Sequence, residues 1–568
     1  MTDTRWMLQT KKADFNGIAA RYKISPVTAR IIRNRDVLGE EAIGRYLYGT
    51  IRDLYSPHLL KDMDLAVEIL KAKIAEGKPV RIVGDYDIDG VCSTYLLYTA
   101  LRRVGANVSY EIPDRIKDGY GINESIIREA ADDGIDTILT CDNGIAAVEQ
   151  VRTAKELGMT VIVTDHHDIR LEGDDEVIPP ADAVVNPKQK ACTYPYPEIC
   201  GGMVAYKLVQ ALYESFGVPV GEWEDLMEFA AIATVGDVMK LQDENRIVVR
   251  EGLKRIGKTR NLGLKKLIDK NDLDPEHITA YQIGFVIGPC LNAGGRLQSA
   301  KLALRLLLAE DEGEADAMAL ELKELNDMRK DMTKKGTEEA AAMVEELYMD
   351  DKVLVVYLPE CHESLAGIIA GRLRERYQKP SFVLTKGENS VKGSGRSIEQ
   401  YHMFEALVEV QDLLLKFGGH PMAAGLSLEE ANVDLFRQRL NDNAALTEED
   451  FIQKIWIDVA MPLEYIDEKL IKELELLEPF GQGNEKPQFA QKHLNIRSIR
   501  VLGKNRNAVK MSLVTDQGTA MDGMLFTDGD AFMEELGSRR AIDAIYYPTV
   551  NEYNGNRTLQ VVIKNYKL

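Results

Sequence analysis

Apolar residues in this chain fall into short unbroken runs set between longer amphipathic stretches. Residues 80–83, 108–112, Thr137–Cys141, Thr160–Thr164 and Ala183–Val185 are such runs. They are too short for buried helices and rich in β-branched side chains, so they predict buried strands. Helix-length segments, among them 124–131 and 146–157, lie between them. That alternation predicts a parallel sheet with helices on its faces. Residues 1–50 read as helical, with Ser25-Pro26 placed as an N-cap and first-turn proline; packing against the α/β region is their simplest role. Residues 299–347 are rich in Ala, Glu, Leu and Lys and free of proline, which predicts one long helix or a pair. A second α/β region opens with a strand at 353–357, continues through a helix at 365–377 and a glycine-rich stretch, and ends near residue 458. Beyond it the pattern is that of strands, at 494–501, Ala508–Val514, Ala520–Leu525, 541–550 and 558–563. The last two flank Asn554-Gly555, a hairpin signal, and a small barrel of the OB type is the expected closure. The expected division is a helical extension over 1–50, an α/β domain over 51–298, a helical linker over 299–348, a second α/β domain over 349–460 and a β-barrel over 461–568.

Composition narrows the class. A chain of 568 residues exceeds one hydrophobic core. No apolar stretch approaches the ~20 residues of a membrane span, and the N-terminus lacks the apolar core of a secretory signal. A cytoplasmic protein without a membrane role is expected. Six scattered cysteines without C-x-x-C spacing predict reduced thiols and no zinc site. The net charge of −21 argues against a protein that coats nucleic acid non-specifically. It leaves room for a local basic groove, and from Ala490 to Thr515 there are six basic residues and no acidic one.

The candidate chemistry lies where apolar segments end. The first strand leads into Gly84-Asp85-Tyr86-Asp87-Ile88-Asp89-Gly90, the third into Asp142-Asn143-Gly144 and the fourth into Asp165-His166-His167-Asp168. A further apolar segment, 231–236, is read as part of the same sheet and leads into Asp237. Carboxylates packed this densely repel one another unless a cation is present. Ligands of open α/β sheets bind outside the carboxyl ends of the strands. Carboxylate mixed with imidazole suits Mn²⁺ better than Ca²⁺. The charge exceeds what one ion neutralises, so two divalent ions are expected, Mn²⁺ ahead of Mg²⁺.

These motifs resemble the DHH phosphoesterase superfamily and, within it, the RecJ family of single-strand-specific 5′→3′ DNA exonucleases. The resemblance extends to Pro113-Asp114-Arg115, Asp118-Gly119-Tyr120-Gly121, Asn186-Pro187-Lys188 and Leu291-Asn292-Ala293-Gly294-Gly295-Arg296. Further on, Lys392-Gly393-Ser394-Gly395-Arg396-Ser397 and Phe417-Gly418-Gly419-His420-Pro421 resemble the family's DHHA1 domain, and Pro479-Phe480-Gly481-Gln482-Gly483-Asn484 the entry to its OB domain. By position, the resemblance implies Asp87, Asp89, Asp142, His166 and Asp237 as metal ligands, with Asp85 as a ligand or its supporting acceptor. His167 would lie beside the scissile phosphate, with Asp165 orienting both histidines. Arg115, Tyr120, Asn292, Arg296, Ser394, Arg396, Ser397, Gly418, Gly419 and His420 would bind substrate. Lys504, Arg506 and Tyr553 would grip the strand on the barrel. Hydrolysis to mononucleotides, in DNA repair and recombination, follows from the same resemblance. So do single-stranded DNA, a single-strand-binding protein and a helicase as partners of a monomer. Two departures stand out: Val83 occupies a histidine position of the pyrophosphatase branch, and Cys361-His362 replaces the family's Trp-His. The alternatives are a nanoRNase or cyclic-dinucleotide phosphodiesterase of the same superfamily, which generally lacks a C-terminal barrel, and a non-catalytic replication scaffold, which typically lacks the ligands.

Overall fold

The computed structural model describes residues 4–115, 119, 121–553 and 555–568, with Tyr553 and Asn556 described by their backbone alone. The chain forms two compact units. The larger comprises 7–295, 299–320 and 456–568, and the smaller 296–298 and 321–455 with the first few residues.

The described chain starts with a strand, β1 (Thr4–Leu8), where helix was expected. Helices α1 (Phe15–Tyr22), α2 (Pro26–Asn34) and α3 (Glu40–Tyr48) follow. The Ser25 hydroxyl accepts the Thr28 N–H at 3.2 Å, the cap that Ser25-Pro26 predicts.

In the larger unit, β2 (Pro79–Val83), β3 (Asn107–Glu111), β4 (Thr137–Cys141), β5 (Thr160–Thr164) and β6 (Ala183–Val185) form one sheet in the spatial order β3-β2-β4-β5-β6. All four pairings are parallel. Central β4 is buried along its whole length, which is why it reads as an unbroken run in place of an alternating one. The order reverses between β2 and β4, and the carboxyl ends at such a switch point are where open α/β sheets bind ligands. Helix α4 (Ile88–Arg103) leaves β2 and packs against α5 (Gly201–Phe216) and α6 (Met227–Gly236). The segment 231–236 is therefore the end of a helix and not a strand of the sheet. Its Ala-rich, Gly-terminated run is apolar apart from Thr234, whose hydroxyl donates to the Ala230 carbonyl at 2.7 Å, because α6 is buried from Met227 to Thr234.

The C-terminal strands β12 (Phe489–Leu502), β13 (Ala508–Val514), β14 (Ala520–Leu525), β15 (Ala541–Tyr553) and β16 (Asn556–Lys567) pair in the order β12-β13-β14-β16-β15. β15 pairs back on β12, so the sheet closes into a barrel. Helix α11 (Gly529–Leu536) lies between β14 and β15 in sequence.

The first helices do not serve chiefly as a cover for the parallel sheet, contrary to the simplest expectation. Ile31, Ile32, Tyr46 and Leu47 share one core with Phe489, Leu513, Tyr546 and Ile563 of the barrel. Buried polar contacts reinforce this. Arg35 donates to both Asp458 carboxylate oxygens at 2.7 and 3.0 Å. Arg246, on α7 (Asp243–Ile256), donates to the carbonyls of Tyr46, Leu476 and Leu477 at 2.8–2.9 Å. It also stacks 4.1 Å over the Tyr46 ring.

The smaller unit holds a five-stranded sheet of β7 (Leu354–Tyr357), β8 (Ser381–Lys386), β9 (Val391–Arg396), β10 (Leu414–His420) and β11 (Ala423–Leu428), in the order β10-β11-β9-β8-β7. Only β7 and β8 are parallel. Helix α10 (Ala366–Tyr377) covers β8 and β9. The expected long helix is α9 (Glu312–Met343), 32 residues, or about 48 Å at 1.5 Å per residue. Its last turns pack Ala340 and Ala341 into the smaller unit's core.

Candidate metal centre

Three strand ends and one helix end deliver the acidic and imidazole groups. Asp85 follows β2, and Asp87 caps α4 by accepting the N–H groups of Asp89 and Gly90 at 2.9 and 3.1 Å. Asp89 sits in the first turn of that helix. Asp142 leaves β4 with φ of +59°, a left-handed turn that aspartate tolerates better than most residues. Asp165, His166 and His167 follow β5. Asp237 lies just past the last turn of α6.

These groups converge. The His166 Nε2 lies 3.2 Å from Asp142 Oδ1, 3.6 Å from Asp89 Oδ2 and 3.7 Å from Asp237 Oδ2. Three overlapping sets, Asp89-His166-Asp237, Asp142-His166-His167 and Asp85-Asp87-Asp142, each bring their ligand atoms within 4.8 Å of one another. Every candidate metal residue is thus in one cluster, and His167 joins it beside Asp142.

Burial and mutual repulsion push the carboxyls of Asp85 and Asp237 up to about 8 and raise those of Asp87 and Asp142. Burial lowers the His166 imidazole. A carboxylate cluster of this kind stays ionised near neutral pH only when a cation is supplied. The Asp85 Oδ2 and both ring nitrogens of His166 are buried without a hydrogen-bond partner, although buried polar atoms normally have one. Orphaned ligand atoms of oxygen and nitrogen type, converging at the strand ends, fit a divalent cation.

Asp165 and His167 behave differently. The Asp165 Oδ1 accepts from His167 Nδ1 at 2.7 Å and from the backbone N–H of His166 at 2.7 Å, and Oδ2 accepts from Ile145 N–H at 2.9 Å. Burial opposes the charge on both side chains, but the pair wins: Asp165 is lowered and His167 is raised to about 9. Asp165 orients the ring of His167 alone, so the expectation that it orients both histidines is corrected. Asn143 went unassigned in the sequence, yet its Nδ2 donates to the Val83 and Cys141 carbonyls at 3.0 and 2.9 Å and locks the ends of β2 and β4 together. Its place between Asp142 and Gly144 was the available signal.

The substrate candidates are less uniform. Arg115 lies 4.6 Å over the Tyr86 ring, and Asn292 is half-buried on α8 (Gly288–Leu297). Tyr120 lies outside the described residues. In the smaller unit, Arg296 donates to the Ser364 carbonyl at 2.9 Å. Arg396 ends β9 and donates to the Gly395 carbonyl at 2.8 Å. Its guanidinium rests where a Cβ on Gly367 would come within 2.8 Å. Ser394 is half-buried on β9, and Gly418, Gly419 and His420 lie exposed on the edge strand β10. Ser397 is fully buried and donates to the Tyr401 carbonyl at 2.6 Å, so its hydroxyl serves a turn and not a phosphate.

On the barrel, Lys504 is exposed, but Arg506 forms a two-pronged pair with Asp530 of α11 at 2.7 and 2.5 Å. Lys510 pairs with Asp522 on the adjacent strand at 2.7 Å. The run that is wholly basic in sequence is partly neutralised in space. The Tyr553 side chain lies outside the described atoms.

Residues 79–234 match the N-terminal domain of the DHH family, 350–445 the DHHA1 domain and 457–565 the RecJ OB domain. The single-stranded-DNA-specific exonuclease RecJ of Bacillus subtilis (strain 168) is 37% identical over 567 residues, covering 99% of this chain and 70% of the relative. That of Escherichia coli (strain K12) is 34% identical and covers 96% of each. The crystal structure of RecJ in complex with Mn²⁺ from Thermus thermophilus matches with a TM-score of 0.85 at 29% identity, covering 100% of this chain and 80% of that one. A second RecJ structure, bound to manganese, matches with a TM-score of 0.60 at 34% identity over 69% of this chain and 98% of its own. With three domains matched in order, and this chain itself covered nearly end to end by relatives 34–37% identical, this chain belongs to the RecJ family.

Proposed function

We infer that this chain is a divalent-metal-dependent exonuclease specific for single-stranded DNA, working from the 5′ end and releasing mononucleotides, with Mn²⁺ as its best ion and Mg²⁺ as the substitute. The observation that carries this reading is the buried ligand cluster at the switch point of the parallel sheet, joined in one chain to a closed barrel of the OB type. Asp85, Asp87, Asp89, Asp142, His166 and Asp237 would hold two ions, which when bound supply a nucleophile at neutral pH and stabilise charge on the attacking and leaving oxygens. The remaining work falls to protein groups. Asp165 fixes the His167 ring and favours its charged form, which sets a positive charge beside the negative charge that grows on the phosphate. Arg296 and Arg396 now donate to carbonyls, and a phosphate is the stronger acceptor for a guanidinium. The barrel, with Lys504 and the residues of its basic run, holds the strand and takes no part in bond cleavage.

A strand-degrading enzyme of this kind draws on a helicase to supply single strands and on a single-strand-binding protein to keep them open. We propose a cytoplasmic monomer acting in repair and recombination. Among the described residues no helix is long and apolar enough to cross a membrane. The test uses single strands, duplexes and dinucleotides, labelled at either end, with Mn²⁺ or Mg²⁺. Mononucleotides released progressively from the 5′ end of single strands are the expected products. Cleavage confined to dinucleotides, or equal attack on duplex, would overturn the assignment.

A further inference from the structure

Asp89 is crowded by Asp87, Asp142 and Asp237, and like charges at such separations drive side chains apart unless something fixes them. The fixing contacts come from Cys200-Gly201-Gly202, where α5 begins. The Gly201 N–H donates to Asp89 Oδ2 at 2.7 Å and the Gly202 N–H to Asp89 Oδ1 at 2.6 Å. These are first-turn amides, which have no partner inside their own helix and carry its positive end. Each carboxylate oxygen accepts more than one bond, so the grip leaves lone pairs on Asp89 for a cation.

The glycines matter for a second reason. A Cβ on Gly201 would lie 2.6 Å from the Cβ of Asp142 and 2.7 Å from its Oδ1. One on Gly202 would lie 2.5 Å from the Ala233 Cβ and 3.0 Å from Asp89 Oδ1. The neighbours of Gly201 belong to a strand end with no freedom to retreat, since the Asp142 N–H is bonded to the Thr164 carbonyl.

We propose that Gly201 and Gly202 are positioning residues of the metal centre: the first amides of α5 clamp both oxygens of Asp89, and the bare α-carbons let Asp142 and Asp89 close onto the helix end. The proposal rests on Asp89 and Asp142 being metal ligands, and it adds the element that holds them in register. α5 becomes a fixed plate against which the acidic loops of β2 and β4 are set.

The test separates bulk from hydrogen bonding. Gly201→Ala adds the methyl and keeps the N–H, whereas Gly201→Pro adds bulk and removes it. Proline is tolerated at a first helical position. Cys200 before it is already extended, at φ −80° and ψ 171°, as a residue preceding proline requires. Mn²⁺ binding to the full chain is followed by electron paramagnetic resonance of the free ion, with circular dichroism and thermal melting as controls. Gly201→Ala is expected to lose about tenfold in Mn²⁺ affinity and Gly201→Pro about a further tenfold, the range typical of groups that orient ligands. The added bulk should lower the melting temperature of both variants alike, so the step in affinity between them reads the lost N–H. Equal affinity in the two variants removes the clamp, and wild-type affinity in both removes the whole proposal. Should either variant fail to fold, Gly202→Ala with and without Ala233→Gly decides. The single change should weaken Mn²⁺ binding and the compensated pair should recover part of it; a single variant that binds like wild type overturns the idea. A wild-type chain that binds no Mn²⁺ would instead sink the metal-centre reading itself.

Discussion

The carboxylates at the end of the parallel sheet and the basic residues on the barrel both crowd like charge, and they resolve it in opposite ways. At the sheet the charges are buried or half-buried, and among the described residues no lysine or arginine forms an ion pair with Asp85, Asp87, Asp89 or Asp237. On the barrel they are exposed apart from the half-buried Lys510, and Arg506 and Lys510 have acidic partners on neighbouring elements. Buried charge left without a counter-charge is costly in a folded protein, so it marks a place where a ligand completes the structure. Exposed, paired charge costs little, so a ligand there must displace a partner already present. Removing one group should therefore be decisive at the sheet and modest at the barrel.

Asp142→Ala or His166→Ala gives the largest expected effect, loss of hydrolysis with an unchanged circular dichroism spectrum. EDTA should reproduce it and added Mn²⁺ reverse it. Turnover close to wild type in either variant would erase the contrast. A buried charge that does have its partner supplies the next step. Asp458→Ala strands Arg35 and should cost about 3–5 kcal/mol of stability, read by urea unfolding; a loss under about 1 kcal/mol, the scale of an exposed pair, would mean that the pair is dispensable. Arg396→Lys, which keeps the charge and loses the planar fork, should raise KM for long strands about tenfold, consistent with the ~1.5 kcal/mol lower range of a charge-assisted hydrogen bond. Unchanged kinetics would leave Arg396 with a purely structural part. The smallest effects belong to the barrel. Lys504→Ala should weaken single-strand binding, while Asp530→Ala, which frees Arg506, should strengthen it about twofold at low salt. If Asp530→Ala leaves a salt titration unmoved, Arg506 does not touch the strand.

The parts of this molecule that can be read from sequence are those set by local pattern. The strands of the parallel sheet are short β-branched runs, Ser25-Pro26 caps a helix as its chemistry requires, and the acidic loops stand at strand ends where binding is expected. What escaped depends on residues far apart in the chain. The run at 231–236 is apolar but for Thr234, which suits a buried helix as well as a strand, and only packing against α4 and α5 decides. The neutralisation of Arg506 comes from Asp530, and of Lys510 from Asp522, acids supplied by neighbouring elements that a window on the basic run does not include. Gly201 and Gly202 resemble an ordinary helix start until Asp89, 112 residues away, is brought onto their amides.

The core shared by the first helices and the barrel sets a timetable for synthesis. Arg35 and Asp458 are 423 residues apart. At ~5–20 residues per second the ribosome needs roughly 20–90 s to make that interval. For that time Ile31, Ile32, Tyr46 and Leu47 have left the exit tunnel while the surface they will pack on does not yet exist. The same apolar face stays uncovered in any chain that stops before the barrel, and exposed apolar surface of this kind favours aggregation. Removing the barrel is for this reason a poor way to measure what the barrel binds, and point changes on its outer face are the sound route. The waiting helices are where the growing chain has most to cover, and the last strands of the chain complete that cover.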